Sequence, residues 1–289
     1  MVKALETKIG QLTLPNPVIA ASGTFGYGED LSEFVPAEKL GAVSTKGLSL
    51  LPRKGNPMPR IVETPSGMIN AIGLQNVGVE AFIQDKLPFL EKCGVVVIAN
   101  IFGNTLDEYV AVAEKLNNSS VASIELNISC PNVKAGGMEF GNDPKMAAKV
   151  TQAVRKAFDR HLMVKLSPNV TSVADVARAV TEAGADSLSL INTITAMAIN
   201  TETCKPMIAN GVGGLSGPAI RPIAVRMVAE VYRAVDIPII GIGGISTLND
   251  ALEFFIAGAT AIQVGTSTFV DPRSALNLVE ALEKYVIKK

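Results

Sequence analysis

Residues 172–191 read SVADVARAVTEAGADSLSLI, and residues 248–264 read LNDALEFFIAGATAIQV. Each begins with apolar residues at helical spacing. Each then meets a glycine, Gly184 or Gly258, and each ends in a short, nearly continuous apolar run. Glycine stops a helix because it takes a left-handed backbone without strain. A continuous apolar run of four or five residues suits a strand covered on both faces. Helix, glycine, strand is the αβ turn of a repeating βα unit.

The same grammar extends outward. Eight apolar runs stand at residues 18–21 (VIAA), 42–45 (AVST), 95–100 (VVVIAN), 123–127 (SIELN), 162–165 (LMVK), 187–191 (SLSLI), 238–242 (PIIGI) and 261–264 (AIQV). Helical patterns fall at 105–117, 143–158, 172–183, 218–234 and 248–257. Asn104 or Asp107 is the expected cap of the first, and Thr171 or Ser172 of another. This alternation predicts an α/β fold, a (β/α)8 TIM barrel, as one domain over residues 1–289. Residues 5–14, with Gly10 in the middle, predict an N-terminal hairpin that plugs the N-terminal mouth. Two connections, 47–76 and 192–217, are too long for simple turns. Both follow strands, so both belong at the C-terminal, catalytic face, where long ordered loops are usually functional.

Composition narrows the function. Among 289 residues the net charge is −1, tryptophan is absent and aromatics are 5%. Lysines and arginines are scattered, so no basic nucleic-acid footprint is visible. No run reaches the length of a membrane span, and the start MVKALETKIGQL lacks the apolar core of a signal peptide. Cys93, Cys130 and Cys204 are odd in number and widely spaced. That pattern predicts a reduced, cytoplasmic setting. Neither a C-x-x-C pair nor a second histidine beside His161 is present, so no metal is expected.

Chemistry in such a barrel gathers where the strands end. Here the ends are Ser22, Lys46, Asn100, Asn127, Lys165, Asn192 with Thr193, Gly243-Gly244 and Gly265-Thr266. Any one of them fits a turn role; six polar ends in register fit a ring of ligand donors better. Gly243-Gly244 and Gly265-Thr266 follow strands seven and eight, where backbone N–H groups approach a phosphate closely. Two ordinary tight turns would leave the same residues. Lys46 and Lys165 point into the mouth, where an unpaired ammonium is costly. Either an anionic ligand meets them or Glu125, mid-strand, pairs with one of them.

Residues 127–134 read NISCPNVK, a cysteine in polar company. A thiol whose pKa lies near working pH acts as a base. Asn127 and Asn132 would hold a planar amide or acid against Cys130, Pro131 would stiffen the loop, and Gly136-Gly137 would let the next segment fold back. A buried, inert thiol is the alternative, and Cys93, before Gly94, fits it.

Together these motifs resemble a known family. They are ASGTFG (21–26), STKG (44–47), GNPMPR (55–60), NAIGLQN (70–76), NISCPNVK (127–134), INT (191–193), GGLSG (213–217), GIGGI (241–245) and QVGT (263–266). The chain resembles the class 1 dihydroorotate dehydrogenases over essentially its full length. NAIGLQN with VKAGGMEFG (133–141) looks like subclass 1B, the FMN-containing catalytic subunit. The resemblance implies FMN held by Ser22, Lys46, Asn100, Asn127, Lys165, Ile191, Gly217, Gly243, Gly244, Gly265 and Thr266. It implies dihydroorotate or orotate held by Lys46, Asn70, Ala71, Ile72, Gly73, Leu74, Asn127, Asn192 and Thr193, with Cys130 as the base. It further implies a partner subunit with FAD and [2Fe–2S] that reduces NAD⁺, in a heterotetramer built on a homodimer of this chain. Three other readings stay open at this point. One is a fumarate-linked enzyme of subclass 1A, and another a flavin barrel for a different dihydropyrimidine. The third is a non-redox barrel for a phosphorylated metabolite, with Cys130 as nucleophile.

Overall fold

The structure is a computed structural model that describes residues 5–129 and 141–288; Cys130, Pro131, Asn132, Gly136 and Gly137 lie outside them. Eight strands close a barrel: β1 Val18–Ala20, β2 Ala42–Ser44, β3 Val97–Ile101, β4 Ser123–Asn127, β5 His161–Lys165, β6 Ser187–Leu190, β7 Ile239–Ile242 and β8 Ala261–Val264. Every neighbouring pair is parallel, and β8 returns to β1 with Gln263 opposite Ile19. Each expected run is thus a barrel strand, its ends shifted by a residue or two. The strands are almost wholly buried, as continuous apolar runs require.

The surrounding helices are α1 Leu87–Cys93, α2 Leu106–Asn117, α3 Pro144–Ala157, α4 Val173–Glu182, α5 Arg221–Tyr232, α6 Leu248–Ile256 and α7 Ser274–Ile287. Along α4, Val173, Val176, Ala177 and Val180 are buried, the i, i+3, i+4, i+7 stripe of a helix lying on a sheet. Ser172 caps α4, accepting from the Asp175 N–H at 3.3 Å. The cap of α2 differs from expectation. Neither Asn104 nor Asp107 fills it; Thr105 does, its hydroxyl accepting from Glu108 N–H at 3.2 Å. Glu108 reaches back to the Asn104 N–H, which accounts for the polar look of that residue. Gly184 and Gly258 end α4 and α6 at φ 104° and 110°. A Cβ on Gly258 would stand 2.2 Å from the Tyr232 ring, so this turn also needs the close approach.

One unit departs from the repeat. The connection from β1 to β2 carries two 3₁₀ turns, Glu29–Leu31 and Ala37–Lys39, in place of a helix. Gly23, Gly26 and Gly28 all take positive φ there, which no helix tolerates.

The hairpin Thr7–Ile9 with Leu12–Leu14 closes the barrel's N-terminal end. Ile9 and Leu14 are fully buried in one cluster with Ile19, Ala42, Ile98, Met163, Ile240 and Ala261. Burial of each large aliphatic side chain contributes roughly 1.5–3 kcal/mol. At the other end the two long connections carry strands of their own. Ile194–Ala196, Gly213–Ser216, Gly67–Asn70 and Ile61–Thr64 form a four-stranded antiparallel sheet in that order.

His161 opens β5 beside the plug, 2% exposed. The Ser123 hydroxyl stands 2.8 Å from ring Nδ1 and 2.9 Å from the His161 carbonyl. Ring Nε2 is buried without a hydrogen-bond partner among the described residues. Burial pushes the imidazole pKa from 6.5 down to about 4; Asp186 opposes this and Arg155 adds to it. The unfolded chain therefore binds the extra proton first, and stability falls as pH drops from 6.5 towards 4. We expect His161→Gln to remove about 2 kcal/mol of the loss between pH 7.5 and pH 5. Urea unfolding of parent and variant at the two pH values measures it, and equal losses in both would refute it.

Candidate active site

The barrel centre is polar although the strands are not. Glu125 sits mid-way along β4 with 0% exposure. Its Oε1 accepts from Ser189 Oγ at 2.7 Å and Gln263 Nε2 at 2.6 Å. Its Oε2 accepts from Ser44 Oγ at 2.8 Å and Asn100 Nδ2 at 2.6 Å, and Lys165 Nζ stands 3.7 Å away. Burial alone would push the carboxyl up. The Lys165 charge and the bonds from Ser189, Asn100 and Gln263 outweigh it and hold the group below the usual carboxylate range. Glu125 therefore serves Lys165 and not Lys46. Lys46 makes no ion pair among the described residues, and burial, then the charge of Arg60, push its pKa down.

Above that layer the strand ends open into a cavity of about 890 Å³. Its wall includes Ser22, Lys46, Asn100, Asn127, Lys165, Ile191, Gly217, Gly243, Gly244, Gly265 and Thr266. It also includes Asn70, Ala71, Ile72, Gly73, Leu74, Asn192 and Thr193. So the structure brings every expected site residue among the described ones to one cavity, while Cys130 and Asn132 lie outside them. The neighbouring Asn127, Ile128 and Ser129 carry the chain to that wall.

Beyond β7 and β8 the backbone forms a cradle. Gly243, Gly244 and Gly217 take φ of 136°, 68° and 94°. Among the described residues, no backbone carbonyl accepts from the N–H groups of Gly244, Gly265 or Thr266. Free N–H groups around glycines suit a phosphate. The amides of the opposite wall are fixed in sense. Asn127 Oδ1 accepts from Ser129 N–H at 3.1 Å and Asn192 Nδ2 at 3.4 Å, which turns its NH₂ to the cavity. Asn192 Oδ1 accepts from Thr193 N–H at 2.8 Å. Tyr109 holds the Asn127 carbonyl from behind at 2.9 Å.

Several wall residues had no role in the sequence reading: Arg53, Arg60, Asn56, Ser129, Asn169 and Ser216. Arg60 closed the quoted motif GNPMPR and bonds Gln75 at 2.6 Å. Its signal was a cation in a glycine- and proline-rich loop bound for the catalytic face. Asn169 follows no strand directly and reaches the site by bonding Thr193 O and Thr195 N–H, which spacing does not reveal.

A family model described as dihydroorotate dehydrogenase matches residues 4–286. The chain belongs to the dihydroorotate dehydrogenase family. A relative from Trichlorobacter lovleyi is 58% identical over all of this chain and 95% of its own length. Those from Geotalea uraniireducens and Geobacter sulfurreducens are 57% and 58% identical, over 98% of this chain and 93% of their own. All three are named dihydroorotate dehydrogenase B (NAD(+)), catalytic subunit. As a dihydroorotate dehydrogenase the chain is an oxidoreductase. Among the described residues, no helix is long and apolar enough to cross a membrane. No group of three or more His, Cys, Asp and Glu there would hold a metal ion.

Lys46 is a buried charge without an ion pair among the described residues, which costs the ligand-free fold. We expect Lys46→Met to leave stability within about 0.5 kcal/mol of the parent or to raise it. Denaturant unfolding of ligand-free protein checks this, and a loss of several kcal/mol would mean that Lys46 is a structural charge.

Proposed function

We propose that the chain oxidises dihydroorotate to orotate, in pyrimidine biosynthesis, at an FMN held over the barrel mouth. The observation that carries this reading is one cavity joining a glycine cradle to a wall of fixed amides and an uncompensated Lys46. Family membership supports a flavin in general, and the cradle supports a phosphorylated one.

Gly217, Gly243, Gly244, Gly265 and Thr266 would take the phosphate through backbone N–H groups. Ser22, Ile191, Asn100, Asn127, Lys46 and Lys165 would hold the ring. When bound, FMN supplies the acceptor for the hydride from carbon 6 of the substrate. Lys46 meets the substrate carboxylate, and Asn127, Asn192, Thr193 and the 70–74 segment hold the planar ring. The NH₂ of Asn127 donates to a ring carbonyl, the sense fixed by Ser129 and Asn192. Cys130 takes the proton from carbon 5, so that proton and hydride leave adjacent carbons and a ring double bond forms. The residues at 1–289 act as one FMN-binding domain.

Electrons then leave towards NAD⁺ through a separate subunit carrying FAD and [2Fe–2S], in a cytoplasmic heterotetramer built on a homodimer of this chain. The relatives' names, which specify NAD(+) and a catalytic subunit, support that route.

The purified chain is expected to be yellow and to bleach when anaerobic dihydroorotate is added. Cys130→Ala should keep its FMN and bleach roughly 10²- to 10⁴-fold more slowly, the usual worth of a positioned general base. A colourless protein that takes up no added FMN sinks the reading. A reduced protein reoxidised by fumarate, and not by NAD⁺ with its partner, sinks the NAD⁺ route alone.

A further inference from the structure

The centre of the barrel holds a carboxylate to which the mechanism assigns no part. Glu125 does not line the cavity, yet two of its partners do. Asn100 and Lys165 both line the cavity, and both are tied below it to Glu125 Oε2, at 2.6 and 3.7 Å. Its remaining partners are Ser44, Ser189 and Gln263. The five partners come from β2, β3, β5, β6 and β8, and each offers a hydrogen. A carboxylate only accepts, so this set of donors fits it and no neutral side chain of the same size.

We propose that Glu125 is a positioning residue that sets both the hydrogen-bonding sense and the charge which the barrel floor presents to the flavin. The proposal rests on the FMN reading above. Its first part follows from Asn100. With Nδ2 held by the carboxylate, Oδ1 turns to the cavity side, where a Cβ on the wall residue Gly47 would stand 3.0 Å from it. No described residue donates to that oxygen. Asn100 is thereby fixed as an acceptor, suited to a ring N–H, beside Lys165 as a donor. Acceptor beside donor matches the imide edge of a flavin ring.

The second part is electrostatic. Lys165 and Glu125 are both at least nine-tenths buried and their charges cancel. A lone ammonium at that depth would favour the reduced, anionic ring strongly and hold its electrons back from the next acceptor. Glu125 offsets this while leaving the ammonium in place to orient. A carboxylate that only filled space and bound its neighbours would not affect the flavin's potential.

The test uses FMN-loaded protein and two variants. In Glu125→Gln the floor gains one net positive charge, and the new amide cannot accept from all four donors, so Asn100 loses its fixed sense. FMN should dissociate with a Kd at least tenfold higher. The equilibrium for flavin reduction, read against redox dyes, should favour the reduced form at least tenfold more, about 30 mV for two electrons. In Gln263→Met the carboxylate keeps its charge and loses one donor, so the same equilibrium should move at least threefold the opposite way. If Glu125→Gln fails to fold, the Gln263→Met shift alone decides. Flavin-loaded variants that keep the parental potential overturn the proposal and leave the FMN reading standing. A parent that takes up no flavin overturns the FMN reading instead.

Discussion

A carboxylate with no access to solvent is the constraint around which this barrel is arranged. Leaving Glu125 ionised there is possible only because four hydrogen bonds and the Lys165 ammonium replace the water it gave up. Those five partners come from separate strands. The strands must therefore hold a shared register, or a donor is left facing apolar surface. The interior is built in layers as a result. At the bottom, Ile9 and Leu14 of the hairpin meet Ile19, Ile98, Met163 and Ile240. The Glu125 layer lies above them, and the cavity above that. Gln263 marks the boundary: its Nε2 serves Glu125, and it lies 3.9 Å from the Met163 sulfur of the apolar layer.

This layering links the fold to the chemistry of the mouth. An amide side chain is ambiguous until something chooses its sense. Glu125 chooses for Asn100 from below. Asn127 and Asn192 choose for each other from the side, with Ser129 and Thr193 completing the pattern. The cavity therefore offers a set of donors and acceptors that the ligand finds ready. Lys46 is the exception, without an ion pair among the described residues and pushed towards its neutral form by burial and by Arg60. An anionic ligand beside it, as the proposed function requires, would offset the cost of that burial.

The barrel was legible in the sequence because its strands are buried on both faces. Residues 95–99 are a continuous apolar run and 261–264 are apolar but for Gln263, and Gly184 and Gly258 mark the turns between helix and strand. The strand-end residues were legible because a strand that stops at the catalytic face must present its last side chain there. What could not be read depends on partners distant in the chain. Gly67–Asn70 is too short and too glycine-bearing to announce a strand, and it becomes one by pairing with Gly213–Ser216, with Asn70 and Gly214 separated by 144 residues. The weight carried by Glu125 is hidden for the same reason, since its donors lie up to 138 positions away. The missing helix after β1 was legible in principle, through three glycines in six residues, but alternation elsewhere argued more strongly for regular units. Thr105 lost to Asn104 and Asp107 because all three are capping residue types and only backbone direction separates them.

The glycines at the mouth couple two parts of the site that the sequence presents as unrelated. A Cβ on Gly244 would stand 2.7 Å from the Gly217 carbonyl, and one on Gly217 would stand 2.8 Å from the Gly67 Cα. A Cβ on Gly67 would in turn stand 2.0 Å from the Ser216 carbonyl. The cradle after β7 is therefore packed backbone to backbone against the four-stranded sheet that carries Asn70 and the 70–74 segment. Thr266 in the cradle adds a hydrogen bond to Ser216 of the same sheet at 2.8 Å. Contacts of this kind leave no side chain to absorb a shift. Any movement of the sheet would press directly on the cradle, and a ligand filling the cradle would hold the sheet in place. On the FMN reading proposed above, a cofactor phosphate in the cradle would brace the wall that carries Asn70.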